Sequence, residues 1–292
     1  VKTKEDLDLP LPDLKGGKPE VVSVKPSETL TNYVDELVSR AERIRGGSVD
    51  PRKDNMLKVT SEGRLAALDM RLIDDKLPAD PNGKVARATD NIYGIWKSTS
   101  KDRLAQMVFC DLSVPSKQKA KGLKETENQD QDGETAKPEA SPDDLLAAAS
   151  GGSFSVYDEI KKNLVDMGVP ADEIAFIHDF NGDKAKAQLF KDVRAGKVRV
   201  LLGSTAKMGE GTNVQERLVA LHHLDAPWKP SAVEQREGRI LRQGNKNKEV
   251  QIYTYVTENS FDAYMWQLLE SKARFVATSM RSGVTERDMD DI

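Results

Sequence analysis

Val198 to Gly203 reads VRVLLG, Ser204 to Gln215 reads STAKMGEGTNVQ, and Leu218 to Asp225 reads LVALHHLD. Two apolar runs of strand length bracket a stretch of small and polar residues. An unbroken apolar run, rather than an alternating one, is what a strand covered on both faces requires. Between the runs, Gly209 and Gly211 let the backbone turn and approach a partner closely. Ser204 and Thr205 carry hydroxyls that can bond phosphate oxygens, and Asn213 can reach a ribose or hold the loop. Ligands of open α/β sheets bind at the carboxyl ends of the strands, where this stretch falls. Taken alone it is equally an ordinary glycine-rich turn.

More runs of the same kind lie on either side: QMVFCDLS (Gln106–Ser113), EIAFIHD (Glu173–Asp179) and VQIYTYV (Val250–Val256). Helical patterns separate most of them. YDEIKKNLVDMG, DKAKAQLFKDVRAG and SAVEQREGRILRQG each end in glycine, and the alternation predicts an open α/β domain, a parallel sheet with helices on both faces. The first hundred residues read differently. After an extended piece, EVVSV (Glu20–Val24), Leu30, Val34, Leu37, Val38, Ala41 and Ile44 fall at helical spacing up to Gly46-Gly47, and SEGRLAALDMRLI and KVARATDNIYGIWKS repeat the pattern. The expected organisation is a mainly helical segment over 1–100, an α/β domain over 101–281 and an acidic tail over 282–292. Within the domain, Pro115 to Ser153 contains no Val, Ile, Phe, Tyr or Trp, which predicts a disordered insertion. Near the end, Phe261, Tyr264, Met265, Leu268, Leu269 and Phe275 line one helical stripe that should pack back on the sheet.

The 292 residues carry a net charge of −4, with 38% hydrophobic and 32% charged residues, enough apolar material for a real core. A mildly acidic chain gives no global reason to bind nucleic acid, so any such contact must come from a local patch. No apolar run approaches the ~18 residues of a membrane span, and no signal peptide is visible, so a cytoplasmic location is expected. One cysteine and three histidines supply no zinc-ligand spacing, and no structural metal is expected. Cys110 has no His–Asp arrangement placed beside it and reads as a small buried hydrophobe. His222 and His223 sit mid-strand, one to each face. The chain starts at Val1 with polar, Pro- and Gly-spaced sequence, as a piece of a longer protein would.

A second motif follows the second apolar run: PWKPSAVEQREGRILRQGN, Pro227 to Asn245. Ser231 and Glu234 form the S-x-x-E pattern of a capping box, and Gly244 would close the helix. On that helix Gln235, Arg239 and Arg242 fall on one face. Two guanidinium groups aimed the same way suit a phosphate, although a solvated basic face has the same spacing. Trp228, between two prolines, is a stacking platform for a base or a lock on the loop that aims the helix; the second reading is favoured.

Taken together, STAKMGEGTNVQ, HLDAPWKPS and EQREGRILRQGN, in that order and spacing, resemble motifs V, Va and VI of superfamily 2 helicases, and among them the Swi/Snf-type DNA translocases. The resemblance covers roughly Asp102 to Arg281 without the insertion and implies a second RecA-like lobe. The helical first hundred residues resemble the linker of large helicase–methyltransferase proteins of phages and conjugative elements. By resemblance, Arg239 and Arg242 would be arginine fingers toward the γ-phosphate of ATP, supported by Gln235, with Gly211 and Asn213 bordering the nucleotide. Glu210 stands where such proteins usually carry a small or apolar residue; it either borders the nucleotide or pairs with a nearby arginine. Ser204, Thr205 and Lys207 would touch DNA phosphates, with backbone amides near Cys110 and His178 contributing.

The chain holds no GxxxxGK[ST] phosphate loop and no Asp-Glu pair placed after an apolar strand. The resemblance therefore implies half of a composite ATP site, with ATP and Mg²⁺ bound mainly by a first lobe elsewhere in the parent protein and nothing tightly bound here. The expected partners are the DNA backbone, that N-terminal lobe and a methyltransferase domain, and not a membrane. On this reading the chain is the C-terminal lobe of an ATP-dependent DNA helicase or translocase, inactive alone. The alternative is a non-catalytic DNA- or protein-docking module of a DNA modification complex.

Overall fold

The computed structural model describes residues 11–47, 49–116, 153–208 and 211–281. Most of the expected insertion and the tail 282–292 lie outside these residues.

Before the central domain the chain forms β1 (Asp13–Leu14), β2 (Glu20–Val24), α1 (Glu28–Arg45), α2 (Met56–Leu68) and α3 (Lys84–Ser98). Side chains start two of these helices: Ser27 accepts from the amide of Leu30 at 3.3 Å, and Asn55 from that of Lys58 at 3.0 Å. Then come β3 (Ala105–Phe109), α4 (Val156–Asp166), β4 (Ile174–Phe176), α5 (Asp183–Arg194), β5 (Val200–Gly203), α6 (Thr205–Met208), β6 (Leu218–His223), α7 (Pro230–Glu237), β7 (Glu249–Thr257) and α8 (Phe261–Arg281). The strands run in the order β1-β7-β6-β3-β5-β4, with β2 also on β7, and every pairing is parallel. Each apolar run singled out in the sequence contains a strand.

Strand β3 lies at the centre, with all five of its residues buried. Its side chains alternate between two cores. Val108 joins Val85, Ala88 and Ile92 of α3 and Tyr157, Ile160 and Leu164 of α4. Met107 and Phe109 join Leu189 and Val193 of α5, Met208 and Ile240. The predicted parallel sheet with helices on both faces is the fold observed.

The boundary drawn at residue 101 is not a seam in the structure. Glu20 to Val24 pair in register with Tyr253 to Thr257, so β2 completes an edge of the same sheet, and α3 covers one of its faces. The stripe on α8 is only partly buried. Met265 and Leu269 pack with Ala226, Trp228, Val233 and Trp266, whereas Tyr264 and Phe275 are exposed.

The motif helix is shorter than its pattern suggested. Pro230 occupies the first turn, Lys229 rather than Ser231 is the N-cap, and the helix stops at Glu237 with Gly238 as its C-cap. Beyond it the amides of Arg239 and Ile240 bond to the carbonyls three residues back, Arg236 and Glu237, a tightened turn rather than an α-helix. Fully buried Ile240 draws that turn into the core. Arg239 and Arg242 therefore sit on a turn, and only Gln235 is on the helix.

Candidate nucleotide and nucleic-acid face

The carboxyl ends of β5, β3 and β6, neighbours in the sheet, converge on one residue that the sequence reading passed over. Arg236, in the last turn of α7, is wholly buried. Its Nη2 reaches Asp111 Oδ2 at 2.6 Å and Asp225 Oδ1 at 3.1 Å, its Nη1 donates to the Asp225 carbonyl at 2.9 Å, and its Nε donates to Thr205 Oγ1 at 2.7 Å. Asp111 follows β3, Asp225 follows β6 and Thr205 follows β5, so one guanidinium fastens the arginine-bearing segment across three strand ends.

The network is closed on itself. Thr205 gives its amide to Asp111 Oδ1 at 2.6 Å and its hydroxyl to Asp111 Oδ2 at 2.8 Å. Asp225 Oδ2 accepts the amides of Asp111 and Leu112, at 2.5 and 2.8 Å. Burial alone would raise the Asp111 carboxyl, but the Arg236 charge and the hydrogen bonds from Thr205 outweigh it and hold the group below the usual aspartate range. Burial likewise disfavours the charge on Arg236, and the two carboxylates more than offset this, keeping it protonated. His223, beside this cluster, is pushed down by burial, with Glu237 opposing the shift.

The expected site residues divide into two groups. Several are engaged inside the protein. Ser204 is buried, and its Oγ accepts the Lys207 amide at 3.4 Å. The Thr205 hydroxyl belongs to the arginine network. The amide of buried Cys110 bonds to the Gly203 carbonyl at 3.1 Å, and burial pushes its thiol well up, leaving it an inert apolar group. With the next two amides held by Asp225, the backbone amides from Cys110 to Leu112 are all bonded within the protein. His178 is buried, with its ring edge-on to Tyr157 at 5.3 Å.

The second group reaches the surface. Lys207, Gly211, Asn213 and Arg242 are exposed, and Gln235 and Arg239 are half-buried. Gly211 has φ +65°, in the left-handed region that favours glycine, so the turn read from the sequence is real at this position. Arg239 Nη1 lies 3.4 Å from the Thr212 carbonyl, and Gln215 Nε2 donates to the Gln243 carbonyl at 3.2 Å. These bonds tie the glycine-bearing loop to the arginine turn. Glu210, with Gly209, lies outside the described residues. No cluster of three or more His, Cys, Asp or Glu side chains placed to hold a metal occurs among the described residues. No helix there is long and apolar enough to cross a membrane.

Residues 150–244 match the family model of the helicase conserved C-terminal domain. Over that stretch the chain is similar to the C-terminal domain of helicases. Over 100 residues the chain is 30% identical to Defense against restriction protein B of Escherichia phage P1, a match covering 34% of this chain and 4% of that protein. Over 89 residues it is 36% identical to the uncharacterized ATP-dependent helicase YqhH of Bacillus subtilis (strain 168), covering 30% of this chain and 15% of that protein. The chain thus spans a small part of the relatives it matches. Similar solved structures include a DEAD box protein from the hyperthermophile Methanococcus jannaschii, with TM-score 0.38 and 12% identity over 64% of this chain and 38% of that one. Another is the DUF1998 helicase MrfA bound to DNA, with TM-score 0.39 and 13% identity over 65% of this chain and 20% of that one.

Arg236, Asp111 and Asp225 were not picked out from the sequence. A signal was present: each aspartate directly ends an apolar run, VFCD and HHLD, where a charge must find a partner or stay wet.

Proposed function

We propose that this lobe is the second motor domain of an ATP-dependent DNA helicase or translocase of the Swi/Snf type. Its arginine turn completes an ATP site whose remainder belongs to a first lobe of the same parent protein. The observation that carries the reading is the anchoring of Arg236 across three strand ends, directly before the turn that bears Arg239 and Arg242. A preorganised pair of guanidinium groups stabilises the charge that builds on a phosphoryl group in transfer, and a loosely held pair does so poorly. Half-buried Arg239, steadied by the Thr212 carbonyl, is the better ordered finger, and exposed Arg242 is the second. Gln235, Gly211 and Asn213 border the nucleotide.

Lys207 supplies the phosphate contact to DNA, and the binding is insensitive to sequence. Thr205 and Ser204 act through the loop they stabilise. ATP and Mg²⁺ are held mainly by the other lobe, so the isolated chain does not turn over ATP. The phage P1 relative is named for defence against restriction, which favours a mobile-element setting for the parent.

The test is DNA-stimulated ATP hydrolysis by the longest native polypeptide containing this chain, unaltered and with Arg239→Ala, beside the 292-residue chain. Loss of turnover with nucleotide binding retained, and no turnover by the short chain, supports the motor. Unchanged turnover by the variant refutes it in favour of a docking module.

A further inference from the structure

The segment between β6 and α7, Leu224 to Lys229, is held from two sides. Successive carbonyls of an extended chain point in opposite directions. That of Asp225 points to Arg236, and those of Leu224 and Ala226 are taken by the helices that precede the sheet. Lys84, the first residue of α3, is buried and donates from Nζ to the Leu224 carbonyl at 3.1 Å while pairing with Asp262 Oδ2 at 2.5 Å. Arg64 of α2, also buried, donates from Nη2 to the Ala226 carbonyl at 3.0 Å, and its guanidinium carbon lies 4.2 Å from the centre of the Trp228 ring. Asp225, whose carboxylate and carbonyl fasten Arg236, thus sits between two carbonyls gripped by α2 and α3.

The approach of α2 is itself specified. A methyl group at Gly63, next to Arg64, would overlap the ring of Phe261 at the start of α8. Thr257 at the end of β7 donates from Oγ1 to the Ala67 carbonyl in the same helix, at 3.0 Å. Arg64 reaches the loop because α2 is seated this closely.

We infer that Arg64 and Lys84 are positioning residues for the arginine turn, so that the N-terminal helical segment sets the placement of Arg239 and Arg242 through Ala226, Asp225 and Arg236. This rests on the motor reading above. It makes the helical segment part of the ATP-site machinery rather than a connector. An arginine suits the task because its flat, forked group can stack on an indole and donate sideways at once, which an ammonium cannot.

The experiment uses the longest native polypeptide containing this chain, with Arg64→Lys, Lys84→Met and, as a control, Arg239→Ala. Four quantities are read: kcat and KM for ATP with DNA present, thermal midpoint, and hydrogen exchange of the amides from Lys229 to Arg242 against those of β3 and β5. Arg64→Lys is expected to lower kcat on the order of tenfold to a hundredfold, the effect of a misplacement of about 1 Å. KM should stay within about twofold, since ground-state binding is unchanged. Exchange should quicken over Lys229–Arg242 and remain unchanged in β3 and β5. If Arg239→Ala abolishes turnover while Arg64→Lys and Lys84→Met leave kcat unaltered, the inference is wrong and the motor reading stands. If exchange rises equally everywhere and kcat follows the folded fraction, the two residues are merely structural and the inference is again wrong. If Arg239→Ala leaves turnover intact, the motor reading fails, and the local exchange pattern alone decides whether α2 and α3 hold the turn.

Discussion

Arg236 and Asp225, eleven residues apart in sequence, are both inaccessible to solvent and are joined twice, side chain to side chain at 3.1 Å and guanidinium to backbone carbonyl at 2.9 Å. With Asp111, the cluster buries two carboxylates against one guanidinium. Such a group is poor at adding net stability compared with apolar packing, but removing one member strands the others in a dry interior. Arg236→Ala should therefore cost about 3–5 kcal/mol in urea unfolding. Arg236→Lys should recover only part of it, because an ammonium cannot meet Thr205, both aspartates and a carbonyl from one plane. A loss below about 1 kcal/mol for Arg236→Ala, the range of an exposed pair, would contradict the described network.

The pH dependence of stability should carry two separate marks. His222 is enclosed on the other face of β6: Tyr255 Oη lies 2.9 Å from Nδ1, and Gln106 Oε1 lies 3.0 Å from Nε2. Since Gln106 Nε2 donates to the Ile92 carbonyl, its oxygen faces the histidine, so Nε2 carries the proton and Nδ1 accepts from Tyr255. Burial, aided by His223, lowers the His222 pKa to about 3. Below about pH 6.5 the unfolded chain takes up a proton there that the folded chain refuses. Stability should fall progressively from that pH to about 3, where the folded form is protonated as well. His222→Leu should flatten this limb of a midpoint-versus-pH curve. At neutral pH it should cost about 2–4 kcal/mol for the polar groups left unpaired. Asp111 contributes lower down: its stabilisation is present above the ordinary aspartate value and is lost as the pH falls below it through the depressed folded value.

Gly203 ends β5 just before the glycine-bearing loop, and a Cβ there would press on the Ile177 and Met208 side chains. Gly203→Ala should destabilise by about 1–3 kcal/mol through overpacking. Shortening Met208 in the same protein should restore part of the loss in thermal melts. Additive losses in the double variant would show that the neighbours do not compete for that space.

Lys207 and Thr205 lie two residues apart in α6, yet they should respond differently. Lys207→Ala in the parent polypeptide should weaken DNA binding uniformly across sequences and reduce the slope of log affinity against log salt by about one ion. It should leave the melting temperature unchanged. Thr205→Val should lower the melting temperature, since it removes the hydroxyl that links Asp111 to Arg236. Equal effects of the two substitutions on the salt slope would place Thr205 on the phosphate after all.

The strands were legible because β3, β5 and β6 are covered on both faces, and a doubly covered strand needs an unbroken apolar run. The length of α7 was not. Its pattern continues through Val233 and Ile240 at helical spacing, and the buried Ile240 satisfies that spacing from a turn just as well. Arg236 was hidden for a different reason. Its partner Asp111 is 125 residues away, and nothing local distinguishes an arginine destined for burial from its solvated neighbours on the same helix. Arg64 was hidden likewise, as its acceptor at Ala226 is 162 residues away. The loop residues were visible as types, while which of their polar groups would be consumed internally depended on these long-range partners.

The edge strand β2 pairs with β7, far along the chain from it, with Glu20 opposite Tyr253. Contacts so distant in sequence close the largest loops and form slowly. The β2 edge of the sheet therefore cannot form before β7 has been synthesised. Until β2 docks, that side of β7 is open to strand addition from another copy. The segment that carries β2 thus both closes the sheet edge on β7 and, through Arg64 and Lys84, holds the loop that leads into the arginine turn.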